Sequence, residues 1–264
     1  FLGAIGERAV YVEQRGEVLR VCGEAPQRAR EARALPGIVA RYFSLDHPLA
    51  EICASLPDDP AMQNAAQFCR GLRIIRQPRW ECLATFITSS MKQVAHIRQI
   101  SLALRQRYGK RSMLDGSHLY AFPSPQRLAR TTEGELRECA LGYRAKNLLA
   151  TARLVADGEV DLDALALLPD DELRAQLCAL PGVGAKVANC VLLFAYERLR
   201  AFPIDVWIER ALRTNYFPRR RKLTLGQLRE FAAQHFGEHG GYAQQYLFHH
   251  ARKTTPRRLS PGLR

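Results

Sequence analysis

The chain has 264 residues, enough for one large domain or two moderate ones. Its 47% hydrophobic and 25% charged residues exclude a disordered chain, and no apolar run is long enough to cross a bilayer. The formal net charge of +13, from 39 Lys and Arg against 26 Asp and Glu, indicates a polyanionic partner, with nucleic acid as the favoured class.

The start of the chain has the pattern of β-strands. In Ala9–Val21, β-branched residues stand on both sides of a glycine-centred turn at Arg15-Gly16-Glu17. This arrangement predicts a β-hairpin. Together with the residues up to about 78, it predicts a small α+β domain at 1–78.

Beyond about Asp46, apolar residues recur at helical spacing. Helices are predicted, in chain order, at 46–56, 61–72, 79–90, 92–109, 134–158 with a break at Gly142, 169–180, 185–196, 206–217, 228–237 and 240–253. Thr224 and Gln227 form a capping box before the second-last of these. The stretch after Gly109, which includes Tyr120–Pro125, is predicted as a loop. We therefore expect a helical domain at 79–253 and a basic tail at 254–264.

Seven cysteines are scattered along the chain, and no two of them form a CxxC pair. An odd and scattered set is typical of reduced thiols in a cytoplasm and not of a disulfide framework. The spacing also lacks the ligand patterns of zinc and iron–sulfur sites. We therefore expect no metal site and no cofactor.

The stretch Leu180–Gly184, LPGVG, joins two predicted helices. Gly182 and Gly184 permit positive φ and a close approach of the backbone to a ligand. The free N–H groups of the helix that begins at about Ala185 form an anion site, which a DNA phosphate fits whatever the base sequence. A plain helix–helix connection with a glycine cap explains the same residues, so this stretch alone leaves both interpretations open.

Lys186 stands in the first turn of that apolar helix, where the peptide dipoles disfavour a cation. This position favours the neutral amine, a nucleophile suited to forming a Schiff base at a sugar carbon. Asp205, in the stretch FPID, is expected first as the N-cap of the following helix. A capping Asp that stays ionised can also stabilise positive charge at the sugar C1′ and help to deprotonate Lys186.

The stretches LPGVGAKVANC (180–190) and AFPIDVWIERAL (201–212) resemble the helix-hairpin-helix DNA glycosylases that carry a catalytic lysine. FPSPQRLA, LGYRAKNL, RQPRWECLATFITSS and YAQQYLF narrow the resemblance to the 8-oxoguanine DNA glycosylase/lyase branch, and it runs from about residue 40 to 253. It implies a mainly α fold, the helix-hairpin-helix glycosylase fold, with a TBP-like antiparallel sheet in a small α+β N-terminal domain. It also implies a bifunctional enzyme that excises 8-oxoguanine from double-stranded DNA in base excision repair. A bacterial-type member, monomeric and associated with the nucleoid in the cytoplasm, is expected.

The resemblance assigns roles around the damaged base. Lys186 attacks C1′ and displaces the base, the resulting imine allows β-elimination, and Asp205 is the second catalytic residue. Because the glycosidic carbon is inaccessible in the stack, the nucleotide must first leave the duplex. Phe248 stacks on the flipped base, Gln244 reads its Watson–Crick edge, and Cys190 lies against its other face. Without the resemblance, plain helix packing would explain the last three residues.

The resemblance also assigns contacts to the rest of the DNA. Tyr143 is the aromatic wedge that fills the gap beside the flipped nucleotide. Arg144 contacts the orphaned partner base. The amides of Gly182, Val183 and Gly184 hold a phosphate.

The chain departs from the family pattern at several positions. Animal members have a run of asparagines where this chain has Met91–Gln93, and an arginine where it has His96, and those residues read the cytosine opposite the lesion. We therefore predict weaker discrimination of the opposite base, with His96 as the remaining contact. Trp207 replaces a histidine associated with phosphate contact. The family's Gly-Gln-aromatic-Arg-Trp segment, whose glycine carbonyl distinguishes 8-oxoguanine from guanine, is not found and is expected to precede Phe1.

Two alternatives remain open on the sequence. The first is a related glycosylase that removes another damaged base, and the second is a non-catalytic DNA-binding module that uses the hairpin alone. Lys186 favours a lyase-capable enzyme over glycosylases that activate only water. The absence of a cysteine cluster argues against the endonuclease III and adenine-glycosylase branches.

Overall fold

The computed structural model describes residues 1–24, 29–89, 94–220 and 222–254, with the backbone alone at 29–32. The described residues form the strands β1 (Leu2–Ile5), β2 (Arg8–Arg15), β3 (Val18–Gly23), β4 (Arg111–Leu114) and β5 (Ser117–Tyr120). The α-helices are α1 (Ala29–Tyr42), α2 (Leu49–Ala54), α3 (Pro60–Phe68), α4 (Arg79–Ser89), α5 (Val94–Tyr108), α6 (Pro125–Ala129), α7 (Glu133–Glu138), α8 (Arg144–Ala156), α9 (Asp170–Cys178), α10 (Ala185–Ala195), α11 (Val206–Tyr216), α12 (Leu225–Phe236) and α13 (Gly240–Thr254). Short 3₁₀ turns occupy Ala164–Leu167 and Gly237–His239.

The chain divides into two packing units. The first contains Phe1–Asp46 and Ile75–Glu197, and the second contains His47–Ile74 and the chain from Arg198 onward. The second unit is therefore built from two separate stretches of the sequence. The domain borders expected at residues 78 and 253 remain predictions.

The N-terminal sheet of the first unit has the antiparallel order β1-β2-β3. The predicted hairpin is confirmed, because Arg15 pairs with Val18 across a turn in which Gly16 has φ +59°. Ile5, Val10 and Val12 are buried on one face of this sheet and pack with Val39 of α1. The apolar spacing does not predict α1, because the dipeptide Pro36-Gly37 interrupts the helical pattern.

The prediction of a loop after Gly109 is wrong for residues 111–120. These residues form a second antiparallel hairpin, in which Leu114 pairs with Ser117. The two residues between them, Asp115 and Gly116, have φ +50° and +70°. An Asp-Gly pair with positive φ at both positions is the preferred two-residue turn between strands, so the dipeptide in the sequence already carried this signal.

Each helical stretch predicted from apolar spacing contains a helix, with ends that differ by a few residues. The capping box of α12 is also confirmed. The Thr224 hydroxyl accepts from the Gln227 amide at 3.2 Å, and the Gln227 side chain accepts from the Thr224 amide at 3.0 Å. These elements depend on residues a few positions apart, and such neighbours meet in any helix with this sequence.

Helix α4 is the centre of the first unit's helical part, since it packs against both α8 and α10. Leu83 of α4, Leu148 of α8 and Val191 of α10 are completely buried in this layer. Trp80, at the start of α4, donates its indole N–H to the Pro123 carbonyl at 2.8 Å. The packing of α4 on α10 holds the helix that begins with Lys186.

In the second unit, one carboxylate ties three helices together. Asp59 caps α3 by accepting from the Met62 amide at 2.9 Å, and it also contacts the Tyr216 hydroxyl at 3.1 Å and His235 Nε2 at 3.0 Å. Burial raises the pKa of the Asp59 carboxyl, but these hydrogen bonds outweigh burial and hold the pKa below its usual range. The ends of α3, α11 and α12 are therefore joined at an ionised side chain.

Candidate functional site

The turn between α9 and α10 has a backbone that only glycine can adopt without strain at one position. Gly182 has φ +80°, and a Cβ atom there would lie 2.8 Å from the Asn147 Cβ of α8. The Thr151 hydroxyl of α8 donates to the Pro181 carbonyl at 3.1 Å. The turn is thus seated closely on α8.

Gly184 is the N-cap residue of α10 and is exposed, with extended backbone and no side chain to cap the helix. No carbonyl of the described chain accepts from the Gly182 or Gly184 amide. Val183 differs, because its side chain is buried and its amide donates to the Leu180 carbonyl at 3.1 Å. The donors available to an anion are therefore those of the two glycines and the first turn of α10.

Lys186, in that first turn, is half-buried against an aromatic ring of α4. Its Nζ lies 5.4 Å from the ring centre of Phe86. Phe86 in turn stacks on Phe194 of α10, with ring centres 5.6 Å apart and planes inclined by 16°. The amine thus rests on the face of a ring that is held by a second ring.

Cys190 lies one turn after Lys186 on α10 and is only 4% exposed. Cys82 of α4 is completely buried nearby. Burial first, and then the neighbouring Cys190 and Glu81, raise the pKa of the Cys82 thiol well above its usual value. At neutral pH Cys82 is therefore a protonated thiol in the packing between α4 and α10.

Tyr143 and Arg144, at the start of α8, have opposite surroundings. Tyr143 is 60% exposed, whereas Arg144 is buried. The Arg144 guanidinium carbon lies 4.4 Å from the Tyr143 ring centre, and its Nη1 donates to the Leu141 carbonyl at 3.3 Å. An exposed aromatic side chain supported by an arginine suits a wedge, while contact of Arg144 with a base would require its side chain to leave this position.

In the second unit, Asp205 is the N-cap of α11, as the sequence predicts. Its Oδ1 accepts from the Ile208 amide at 2.8 Å, and the side chain is partly exposed. The neighbouring Val206 is 71% exposed. Trp207, which replaces the histidine of the family, has the Arg210 guanidinium 5.6 Å from its ring centre.

Gln244 and Phe248 lie one turn apart on α13 and therefore share a face. Gln244 is 3% exposed, and its Oε1 accepts from the Gln245 side chain at 2.6 Å. Phe248 is partly exposed, and the Arg252 guanidinium lies 5.2 Å from its ring centre. Helix α13 packs against α11, the helix that Asp205 caps.

Within the first unit the structure brings Lys186 and Cys190 together with two residues that sequence reasoning missed, Phe86 and Cys82. The sequence contained one sign of them: Cys82 and Phe86 are four positions apart on α4, as Lys186 and Cys190 are on α10, so each pair shares a helix face. His96 is exposed on α5. Met91–Gln93 lie outside the described residues.

Neither a membrane-crossing helix nor a metal-binding cluster is found where the structure describes the chain. No helix there is both long and apolar enough to span a bilayer. No group of three or more His, Cys, Asp or Glu side chains there could hold a metal ion.

The hairpin, the lysine behind it and the helical layers match a known class of protein. Residues 84–233 match the model of the HhH-GPD superfamily base excision DNA repair protein. Residues 1–83 match that of the 8-oxoguanine DNA glycosylase, N-terminal domain. The chain belongs to the 8-oxoguanine DNA glycosylase family of that superfamily, and the fold expected from the sequence is confirmed.

Individual relatives agree with this assignment. A probable N-glycosylase/DNA lyase of Methanothermobacter thermautotrophicus is 31% identical over 93% of this chain and 83% of its own length. The N-glycosylase/DNA lyase OGG1 of Arabidopsis thaliana is 32% identical over 94% of this chain and 70% of its own. A solved structure of Clostridium acetobutylicum 8-oxoguanine glycosylase/lyase, in complex with double-stranded DNA containing cytosine opposite 8-oxoG, superposes with a TM-score of 0.87 at 32% identity, covering 96% of this chain and 84% of that one.

Proposed function

We propose that this chain is a bifunctional DNA glycosylase and AP lyase that removes 8-oxoguanine from duplex DNA in base excision repair, with Lys186 as its nucleophile. The family match supports the reaction class. Lys186 is assigned as the nucleophile because of its position. It lies two residues after Gly184, in a hairpin whose glycine amides bond to no carbonyl of the described chain, and its Nζ lies 5.4 Å from the centre of the Phe86 ring.

The chemistry requires a flipped nucleotide and a free amine. The Lys186 Nζ lone pair forms a bond to C1′, the C1′–N9 bond breaks, and its electrons leave with the base, which takes up a proton. The nitrogen loses a proton, the sugar opens as C1′–O4′ breaks and O4′ is protonated, and an imine results. Removal of a C2′ proton then expels the 3′ phosphate and nicks the strand.

The remaining site residues fill supporting roles in the proposal. Asp205 is the second catalytic residue, whose carboxylate stabilises positive charge at the sugar. Phe248, Gln244 and Cys190 bind the displaced base. Around them, Tyr143, Arg144, Gly182, Gly184 and His96 contact the DNA, whereas the Val183 amide stays bonded to the Leu180 carbonyl. The enzyme is proposed to act as a monomer on the nucleoid of a bacterial cytoplasm.

Borohydride trapping tests the proposed function. The wild-type chain is incubated with duplexes that carry 8-oxoguanine, an oxidised pyrimidine, an alkylated adenine or an abasic site, and adduct is measured after reduction. We expect an adduct with 8-oxoguanine and with the abasic site. An adduct with another lesion but not with 8-oxoguanine would support a related glycosylase, and binding without any adduct would support a non-catalytic module.

The base opposite the lesion should be read less strictly than in the animal enzymes. His96 stands exposed where those enzymes have an arginine, and an imidazole offers fewer donors to cytosine than a guanidinium does. The spread of excision rates on duplexes with 8-oxoguanine opposite each of the four bases should therefore be about 5- to 150-fold smaller than in the animal enzymes, since a lost base contact is worth about 1–3 kcal/mol. A strong preference for cytosine would contradict this prediction.

A further inference from the structure

We propose that Phe86 is a positioning residue for Lys186, whose ring holds the amine in the place from which it attacks. The inference rests on the proposed role of Lys186 as nucleophile. Lys186, Phe86 and the ring on which Phe86 stacks all belong to the first unit.

The free Lys186 side chain can adopt many conformations. A lysine has four rotatable side-chain bonds, and holding it in one conformation costs considerable entropy. Lys186 Nζ lies 5.4 Å from the Phe86 ring centre, within the distance at which an aromatic face attracts a cation. In the ammonium form, the ring thus favours one location of Nζ among the many that the side chain can reach.

The Phe86 ring itself cannot easily move. Phe86 stacks nearly parallel on Phe194, with ring centres 5.6 Å apart. Both belong to helices that pack closely, and Cys82, one turn before Phe86, is completely buried between them. A platform on packed helices positions a reactive group more accurately than a loop does.

The Phe86 ring also suits the charge that develops on Nζ during the attack. As Nζ bonds to C1′ and the glycosidic electrons leave with the base, the nitrogen gains positive charge until its proton passes to the departing base. The negative face of an aromatic ring stabilises that charge.

Single-turnover borohydride trapping on an 8-oxoguanine duplex, with enzyme in excess, tests the role of the ring. Phe86→Leu keeps an apolar side chain without a ring, and Phe86→Tyr keeps the ring. We expect Phe86→Leu to slow adduct formation about tenfold and Phe86→Tyr by less than about threefold, because cation–ring contacts correspond to factors of roughly 2 to 30. Duplex affinity and the thermal midpoint of unfolding are measured for each variant.

Phe231→Leu is the matched control. Phe231 belongs to the second unit, is partly exposed as Phe86 is, and also stacks on an aromatic ring, that of His235, at 4.8 Å. Its loss removes a stacked pair elsewhere and should leave the trapping rate unchanged. Replacing Phe86 with pentafluorophenylalanine keeps the shape of the ring and reverses its charge distribution, so it should slow trapping even if Phe86→Leu does not fold.

The outcomes separate the two proposals. If the wild type forms an adduct and Phe86→Leu forms it at the same rate, the positioning role is overturned while the proposed function stands. The positioning role is also overturned if Phe86→Tyr is as slow as Phe86→Leu, or if the fluorinated ring is as fast as the natural one. If the wild type forms no adduct with any duplex, the proposed function itself fails.

Discussion

Replacing Lys186 with glutamine should abolish the borohydride-trapped adduct and lower base excision by at least about a thousandfold, because an amide cannot serve as the nucleophile. Binding to the damaged duplex should largely persist, since the hairpin amides that are proposed to contact phosphate belong to the backbone. Adduct formation is followed by the shift of labelled DNA on a denaturing gel, and binding is measured by fluorescence anisotropy.

Lys110→Gln provides the control for this substitution. Lys110 is exposed in the loop before β4 and pairs with Glu7 at 3.5 Å, so the same chemical change occurs there at the surface. It should leave adduct formation unchanged. A Lys186→Gln variant that still forms adduct at the wild-type rate would show that another amine is the nucleophile.

Replacing Asp205 with asparagine should lower the single-turnover rate about a hundredfold with little change in stability. Asparagine caps a helix as well as aspartate does, so the bond to the Ile208 amide can be kept. The substitution removes only the negative charge that is proposed to act on the sugar, and losing one such stabilising group commonly costs two to three orders of magnitude, that is, about 100- to 1000-fold. Single-turnover excision and thermal unfolding measure the two effects separately.

Two further variants distinguish the cap from the charge. Asp205→Ala removes both and should lower the free energy of unfolding by about 1 kcal/mol in addition to the loss of rate. Asp59→Asn changes another N-cap of the same unit, whose Oδ1 accepts from the Met62 amide, and should leave the rate unchanged. An Asp205→Asn variant with wild-type activity would reduce Asp205 to its structural role as a helix cap.

The local features of the fold could be predicted because they depend on near neighbours in the chain. The helices, the capping box at Thr224, the cap at Asp205 and the turn at Gly16 each follow from residues a few positions apart. The hairpin at 111–120 was equally local, and the Asp-Gly pair at its turn indicates it. Helix α1 was harder to predict, because Pro36-Gly37 breaks the pattern and the helix is stabilised by packing on the sheet.

In the candidate site, too, the features that depend on near neighbours in the chain could be predicted. Lys186 and Cys190 are one turn apart on a single helix, so their shared face could be derived from spacing. The resemblance to a family, and not the spacing, supplied the chemistry of Lys186, Asp205, Gln244 and Phe248.

Long-range packing supplied what spacing cannot. Five helices, α5 to α9, separate Phe86 from Lys186 along the chain. Only the packing of α4 on α10 places the Phe86 ring beside the Lys186 amine. The buried position of Arg144 beside Tyr143, and the assembly of the second unit from 47–74 and the C-terminal helices, arise in the same way. Such contacts depend on the simultaneous burial of many side chains from distant parts of the chain, and a short stretch of sequence does not determine them.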